Sequence, residues 1–428
     1  MKKQHAFLSI VSASAMALAF ILCLVSCSKD DVFGDYDTDG RFSKSDGLSG
    51  EIGGESGEVD DSQTGNSNAG ILTAGEWNDL VHWSFWSRLM NTSTYDRYSG
   101  YWQLITNNRV PVKVTDMDGK ALPGVKIELL RASSGTVVWE TLTDNHGLAD
   151  CWVGLYQKET VDGASLRVAV AGNMMEGVPT IYGWGTDSLT TDTVQGQNSF
   201  VEELVVYNTY VLADAPAVAS SADIAFVVDA TGSMADEIEF LKSDLYDIIT
   251  KAESVNPSVS IRTAALFYRD EGDDYVTRYS DFTEKVKETA AYVKEQNADG
   301  GGDYPEAVHT ALEHMLQDLS WKENARSKVA FLILDAPAHY TDTVIASLQA
   351  SIKACARNGI RIIPVAASGV DKNTEFMLRF FAIATGGTYV FLTDDSGVGG
   401  SHLVATVGDY KVEQLNDLLV RLIAEYTE

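Results

Sequence analysis

Apolar runs alternate with longer amphipathic segments from residue 223 to the end of the chain. The apolar runs predict strands at 224–228, 261–268, 329–334, 360–366 and 388–392. The segments between and after them repeat apolar residues at helical spacing and predict helices at 234–251, 282–296, 304–319, 343–357, 374–384 and 412–424. Strands that are apolar at every position belong in a parallel sheet covered on both faces. Residues 222–428 are therefore predicted to form a doubly wound, mostly parallel α/β domain.

One segment departs from this alternation. Residues 275–282 follow a polar, turn-forming stretch, Arg269 to Asp274, and carry no amphipathic helix before them. An antiparallel strand at the edge of the sheet is the placement that fits this spacing. The ligand site of such a sheet is expected at the carboxyl ends of its parallel strands.

The part of the chain before residue 215 has a different pattern. Short alternating segments at 110–114, 125–130, 136–142 and 166–170 are separated by turn signals such as Asp118-Gly119. This pattern predicts an all-β antiparallel sandwich domain. An aromatic-rich segment with Trp77, Trp83 and Trp86 precedes it, and the two together span 71–215. The tryptophans either form a buried cluster, which is their commoner role, or stack against a sugar.

Length and charge limit the classes of function. A chain of 428 residues exceeds what one core usually holds, which favours more than one domain. A formal net charge of -29 argues against nucleic acid as a partner, because proteins that bind it gather Lys and Arg. Cations, basic surfaces and neutral glycans remain possible partners. Cys151 and Cys355 fall in different predicted domains, which favours two buried free thiols over a disulfide.

The first residues predict a signal peptide at 1–26. A basic start, Met1-Lys2-Lys3, precedes an apolar stretch that ends in Leu24-Val-Ser-Cys27. This ending resembles the lipobox of bacterial lipoproteins, which implies cleavage before Cys27, lipidation of its thiol and attachment to a membrane through the lipid. An uncleaved anchor helix is the alternative. Residues 27–70 are rich in Gly, Ser and acidic residues and predict a flexible stalk.

The residues after Cys27 carry a further resemblance. Ser28-Lys29-Asp30-Asp31 is similar to the signal that sends lipoproteins of Bacteroidetes-type bacteria to the outer face of the outer membrane. The resemblance implies an outer-membrane lipoprotein that is exposed at the cell surface.

Three loops of the α/β domain place oxygen-bearing side chains at predicted strand ends. The first follows the strand 224–228 and contains Asp229, Thr231 and Ser233, and the third begins with Asp335 after the strand 329–334. The second runs from Asp299 through three glycines to Asp303 and Glu306. Hard oxygen donors of this kind suit Mg²⁺, Ca²⁺ or Mn²⁺ rather than zinc. Structural alternatives are a helix N-cap for Ser233 and a turn in which Asp229 accepts backbone amides.

Taken together, the three loops make residues 222–428 resemble the von Willebrand factor type A family, a Rossmann-like fold with a metal-ion-dependent adhesion site. The subgroup found in hemicentin-like and alpha-kinase-linked members is the most similar. The resemblance implies that Ser233 and Thr231 coordinate one divalent cation directly and that Asp229 and Asp335 do so directly or through water. Mg²⁺ is the first expectation for this cation, with Ca²⁺ or Mn²⁺ as alternatives.

The second loop departs from the usual family pattern. Asp303 stands where the family usually has a threonine ligand, so it either coordinates the cation or lies just outside its ligands. Further candidates near the site are Gly302, Glu306, Asp270 and His339, although an ordinary turn or surface histidine is the commoner role for His339.

The β-rich region carries a resemblance of its own. The stretch from Val112 to Leu129, with the turn from Thr143 to Gly147, is similar to Ig-like and carboxypeptidase-regulatory-like modules of bacterial surface proteins. In that family such a module is mostly a spacer or a binding platform.

The function predicted from these features is non-enzymatic. We expect a surface lipoprotein that binds a protein or glycan partner, with an acidic group of the partner reaching the cation. A structural envelope component with a vestigial metal site is one alternative. A metal-dependent hydrolase is another, but the sequence has neither a Gly-x-Ser-x-Gly elbow nor a Walker loop.

Overall fold

A computed structural model describes residues 72–184, 205–214, 217–302, 304–396 and 402–428. The predictions of a signal peptide at 1–26, of lipidation at Cys27 and of a stalk at 27–70 lie outside these residues, as does Asp303. Within the described ranges, no helix is both long enough and apolar enough to cross a membrane.

The described strands number fifteen and the α-helices eight. The strands are β1 (Thr73–Trp77), β2 (Arg109–Thr115), β3 (Lys126–Arg131), β4 (Val137–Leu142), β5 (Leu148–Trp152), β6 (Leu166–Val170), β7 (Asn173–Met174), β8 (Asn208–Val211), β9 (Ala219–Asp229), β10 (Ser260–Tyr268), β11 (Thr277–Thr283), β12 (Ala325–Leu334), β13 (Ile360–Ala366), β14 (Tyr389–Thr393) and β15 (Glu413–Gln414). The helices are α1 (Trp83–Met90), α2 (Ser93–Trp102), α3 (Ala235–Val255), α4 (Val286–Lys294), α5 (Val308–Gln317), α6 (Asp342–Asn358), α7 (Lys372–Thr385) and α8 (Leu415–Thr427).

An eight-stranded sheet forms the largest layer, in the order β11-β10-β9-β12-β13-β14-β1-β15. Strands β10, β9, β12, β13 and β14 run parallel to one another, and β11 lies antiparallel to β10 at the edge. The predicted α/β sheet and its antiparallel edge strand are both present. Apolar residues cover both faces, because Ala225 and Val227 of β9 join one hydrophobic cluster while Phe226 and Val228 join the other.

The first described strand belongs to this large sheet and not to the β-rich region with which the sequence groups it. Strand β1 pairs antiparallel with β14 over five residue pairs, from Thr73 with Thr393 to Trp77 with Tyr389. Gly75 permits this approach, since a Cβ there would lie 2.7 Å from the Phe391 ring. The predicted domain boundary at 71–215 therefore cuts through a sheet.

The aromatic segment after β1 is a buried cluster packed on α7. Trp83 and Trp86 are both buried, and the Trp86 ring stacks on Phe376 of α7 with centroids 5.8 Å apart. Trp102 of α2 donates from Nε1 to the Asn373 side chain at 3.0 Å. Of the two roles open to these tryptophans, the structure shows the buried one.

Two small sheets form the β-rich region inserted between β1 and β9. Their strand orders are β5-β2-β8 and β4-β3-β6-β7, and their buried residues share one hydrophobic cluster. The prediction of a wholly antiparallel region is wrong, because β8 pairs parallel with β2. The region rests on the α/β domain through bonds such as Tyr156 Oη to the Gln349 carbonyl, at 2.8 Å. Cys151 and Cys355 are buried free thiols.

Candidate metal site

Two of the predicted ligand loops leave adjacent strands at the same edge of the sheet. Strands β9 and β12 are parallel neighbours with Val228 opposite Ile333, so Asp229 and Asp335 come one and two residues after this pair. Both carboxylates are buried, with 0% and 5% of their surface exposed. This edge is where the carboxyl ends of the parallel strands meet, as the sequence predicts.

Backbone hydrogen bonds join the glycine loop to the other two loops. The Gly232 amide donates to the Gly300 carbonyl at 3.2 Å, and the Glu306 amide donates to the Pro337 carbonyl at 2.8 Å. Glu306 and Ala338 also form an isolated parallel bridge. The three loops are therefore one hydrogen-bonded unit, and Glu306 lies inside it.

Asp229 uses one carboxylate oxygen in its own turn and leaves the other free. Its Oδ1 accepts from the Thr231 amide at 2.9 Å and from Thr231 Oγ1 at 2.7 Å. Its Oδ2 is buried and has no hydrogen-bond partner among the described residues. The turn predicted as a structural alternative accounts for the contacts of Oδ1 but not for the unpaired Oδ2.

Two more buried carboxylates of the three loops have the same deficit. Asp335 Oδ1 and Glu306 Oε2 also lack a hydrogen-bond partner within the described part of the chain. An unpaired buried carboxylate oxygen is costly, so three together need an explanation. Because oxygen donors of this type bind hard divalent cations, the residues present fit the ion that the loops predict.

The pKa values of these groups reflect the same environment. Burial raises the pKa of Asp229 to about 7, against an ordinary value of 3.8, and the charge of Asp335 adds to the shift. Burial raises the pKa of Glu306 to about 9, with further contributions from Asp229, Asp270 and other nearby carboxylates. A bound cation would reverse this preference by favouring the charged forms.

The two hydroxyl candidates occupy different positions. Thr231 is buried, whereas Ser233 is exposed in the short 3₁₀ turn Gly232–Met234. Helix α3 starts at Ala235 and no side chain caps it, so Ser233 does not act as the N-cap. Burial raises the pKa of Asp335, and a hydrogen bond from Ser233 opposes that shift, which places the Ser233 hydroxyl beside this carboxylate.

The glycine loop needs glycine at two of its three positions. Gly300 and Gly301 have φ values of +81° and +74°, a region that other residues rarely adopt. A Cβ on Gly301 would lie 3.1 Å from Thr231 Cβ. Gly302, by contrast, has open space around it. Gly300 and Gly301 therefore make the close contacts of this loop, with Asp273 and Thr231 respectively.

Asp270 and His339 form a pair next to the site. His339 Nε2 lies 2.6 Å from Asp270 Oδ1, and Asp270 is largely buried. Both residues are candidates predicted near the site, and the structure shows them in contact with each other.

Sequence reasoning missed three residues near the site. Asp273 accepts a hydrogen bond from the Gly301 amide at 3.0 Å, Tyr268 lies opposite Asp229 in the β10–β9 register, and Glu237 accepts from Ser368 Oγ at 3.3 Å. Tyr268 is the last residue of β10, next to β9, and its position at the end of a predicted strand was the signal that could have found it.

Carboxylates alone do not complete a metal site here. Among the described residues, no group of three or more His, Cys, Asp or Glu side chains is arranged to hold a metal ion. A cation at this edge would therefore need hydroxyl ligands beside Asp229 and Asp335, and Thr231 and Ser233 are the hydroxyls that the loops supply.

The fold and the loops define an α/β domain with a cluster of oxygen-bearing side chains at the carboxyl edge of its sheet. Comparison with known families finds a von Willebrand factor A domain at residues 223–379. The match includes all three candidate ligand loops. The family resemblance drawn from the loops is confirmed to this extent, and the α/β fold agrees with it.

Two relatives match part of the chain. The chain is 33% identical over 118 residues to an ariadne-like RING finger protein of Acanthamoeba polyphaga mimivirus, which is 28% of this chain and 11% of the relative. It is 29% identical over 156 residues to the alpha-protein kinase vwkA of Dictyostelium discoideum, which is 36% of this chain and 24% of the relative. The matches thus span at most about a quarter of either relative.

Proposed function

We propose that the α/β domain is a binding module in which a divalent cation, held by the three loops, receives an acidic group of a partner. The observation that carries the proposal is the set of three buried carboxylate oxygens without partners, on Asp229, Asp335 and Glu306. The von Willebrand factor A match supports it, because such domains commonly take part in adhesion and metal-dependent binding.

The proposed ligands are those that the loops suggest. Ser233 and Thr231 contribute hydroxyl oxygens, Asp229 and Asp335 contribute carboxylates directly or through water, and Asp303 is a further candidate. Mg²⁺ is the expected ion, with Ca²⁺ or Mn²⁺ as alternatives. The partner is a protein or a glycan that presents the acidic group.

A non-enzymatic role is part of the proposal. Within the described chain, no Ser, Thr or Cys is hydrogen-bonded to His339, whose recorded partner is Asp270. Burial raises the pKa of the Cys355 thiol to about 12 and raises that of Cys151 as well, so both resist forming a thiolate. The kinase relative contributes no activity to this argument, because the chain spans only 24% of it.

We further propose that the domain is displayed on the outer membrane through a lipid on Cys27. The support is the lipobox-like sequence and the acidic stalk at 27–70. Metabolic labelling with palmitate, lost in Cys27→Ala, and digestion of the protein on intact cells would test attachment and exposure separately.

Calorimetric titration tests the cation site directly. Mg²⁺, Ca²⁺ and Mn²⁺ would be titrated into the full-length chain in a mild detergent, beside Asp229→Ala and Asp335→Ala. Asp299→Ala is the matched control, since Asp299 is an exposed carboxylate in the glycine loop. We expect one-site binding to the wild type and to Asp299→Ala. We expect no binding to Asp229→Ala or Asp335→Ala. No binding by the wild type would contradict the proposal and favour a structural component with a vestigial site.

A further inference from the structure

The carboxyl edge of the sheet carries many more negative charges than one cation can balance. Six exposed carboxylates surround the candidate site, and among the described residues none of them forms an ion pair: Asp236, Glu271, Asp274, Asp299, Asp342 and Asp371. They come from five loops that all follow parallel strands or lead into helices at this edge. The buried Asp229 and Asp335 add to the same field.

Positive side chains at this edge are committed elsewhere. The described loops at this edge and the first turns of the helices that follow them hold two Lys or Arg residues, Arg269 and Lys372. Arg269 is buried and donates to the carbonyls of Ala230 and Asn297 at 3.1 and 2.9 Å. Lys372 bonds to Glu375 at 2.8 Å. The negative potential of the edge is therefore not cancelled by the protein itself.

Three tyrosines lie at the same edge. Tyr304 of the glycine loop and Tyr340 of the third loop are 45% and 48% exposed. Tyr101 of α2 stacks on Tyr340 with ring centroids 3.8 Å apart. Exposed aromatic faces next to carboxylates attract guanidinium and ammonium groups by cation–π contact. Aromatic residues are also enriched at the centres of protein interfaces.

The unpartnered oxygens show that this edge is built to receive a ligand. Asp229 Oδ2, Asp335 Oδ1 and Glu306 Oε2 are buried, unsatisfied and carried by the loops that bear or adjoin the exposed carboxylates. A partner with an acidic group alone would meet strong repulsion from the surrounding charges, because like charges at an interface cost several kcal/mol.

We propose that the partner of this edge is a protein surface rich in Lys and Arg that surrounds the acidic group at the cation. This inference rests on the proposed function for the cation and adds the chemistry of the partner. The basic side chains pair with the exposed carboxylates and stack on Tyr304 and Tyr340. A long-range attraction of this kind raises the association rate and weakens with salt.

Defined peptides test the charge of the partner. The probe is a fluorescein-labelled peptide with one Asp flanked on both sides by Lys and Arg, and its binding to the full-length chain is followed by anisotropy with Mg²⁺. A second peptide carries Glu in place of every Lys and Arg, and a third carries Asn in place of the Asp. The basic peptide should bind at least about tenfold more tightly than the acidic one. This difference in affinity should shrink as the salt concentration rises.

Charge reversal on the protein provides the matched test. The variant Glu271→Lys/Asp274→Lys changes two exposed charges and leaves every proposed cation ligand in place. We expect about tenfold weaker binding of the basic peptide, mainly through slower association. Glu253→Lys/Glu323→Lys makes the same charge change at the opposite edge of the sheet and should leave the affinity unchanged.

The outcomes separate this inference from the cation site. Basic and acidic peptides that bind equally, or charge reversals with equal effects at both edges, would overturn the inference even where calorimetry shows a cation. If calorimetry shows no cation, the proposed function fails, but salt-sensitive binding of the basic peptide that persists in EDTA and with the Asn peptide would still support a basic partner.

Discussion

Arg379 and Asp79 form a bidentate ion pair across 300 positions of sequence. The guanidinium Nε and Nη2 donate to the two carboxylate oxygens at 2.8 and 2.6 Å, and both side chains are buried. Arg379 also donates to the Thr406 carbonyl at 2.6 Å and lies over the Trp86 ring. The segment after β1 is thereby fixed to α7.

Removing one partner of this pair should destabilise the chain strongly. Asp79→Ala leaves a buried guanidinium without its carboxylate, and breaking a buried pair in this way typically costs about 3–5 kcal/mol. Denaturant unfolding measures the loss. Lys251→Ala breaks an exposed pair with Asp247 and should change the free energy of unfolding by less than about 1 kcal/mol. Equal effects of the two variants would contradict a structural role for the Asp79–Arg379 pair.

A fragment that begins after the β-rich region should fold poorly. Residues 217–428 lack β1, so the edge of β14 and the face of α7 under Trp86 would be exposed. We expect a lower melting temperature and concentration-dependent association, because open strand edges pair between chains. Light scattering and thermal melts compare it with residues 72–428. A monomeric fragment of unchanged melting temperature would show that β1 is dispensable.

Gly301→Ala should impair cation binding while Gly302→Ala should not. The first substitution places a Cβ 3.1 Å from Thr231 Cβ at a φ of +74°, whereas the second meets open space. A residue forced into the left-handed region costs about 1–2 kcal/mol, and here the strain falls on a proposed ligand. Calorimetry with Mg²⁺ measures the difference. Equal affinities for the two variants would mean that the loop adapts to the extra methyl group.

Without divalent cations, Asp229→Asn should be more stable than the wild type at high pH. Burial raises the pKa of Asp229 from 3.8 to about 7, so the folded chain holds a proton that the unfolded chain releases. Stability from this proton is fully present below the unfolded value and is lost as pH rises through about 7. Asparagine stays neutral and avoids that loss.

Thermal melts in EDTA at pH 5 and pH 8 check this prediction. The variant's advantage should grow with pH, and adding Mg²⁺ at pH 8 should stabilise the wild type alone, because a cation binds the deprotonated carboxylate. A constant difference at both pH values would contradict the raised pKa.

Much of the α/β domain follows from local pattern. Strand β13 matches its prediction at 360–366 because every residue of the run is buried and all except Arg361 are apolar. Strand β1 escaped prediction because Gly75 and Glu76 interrupt its apolar pattern and its partner lies more than 300 residues away. The spacing of apolar residues and the residues that favour turns are local signals, and they carry no information about such a distant pairing.

The site was predictable to a similar degree. Asp229, Thr231 and Asp335 meet as expected because strand ends of a parallel sheet converge. That Asp229 keeps one oxygen free while using the other cannot be read from sequence, since it depends on the rotamer of a buried side chain. The contribution of Asp273, which lies in an acidic turn and accepts from Gly301, depends likewise on how two loops approach each other.

The pairing of β1 with β14 has a consequence for synthesis of the chain. A ribosome makes Thr73 long before Thr393, so β1 must wait for its partner while the intervening residues emerge. Domains generally fold as units as they leave the ribosome, and contacts of such long sequence separation form slowly. Trp86 of α1 likewise lacks its stacking partner Phe376 of α7 during most of that interval. The nascent protein is therefore expected to depend on chaperones more than its finished fold would suggest.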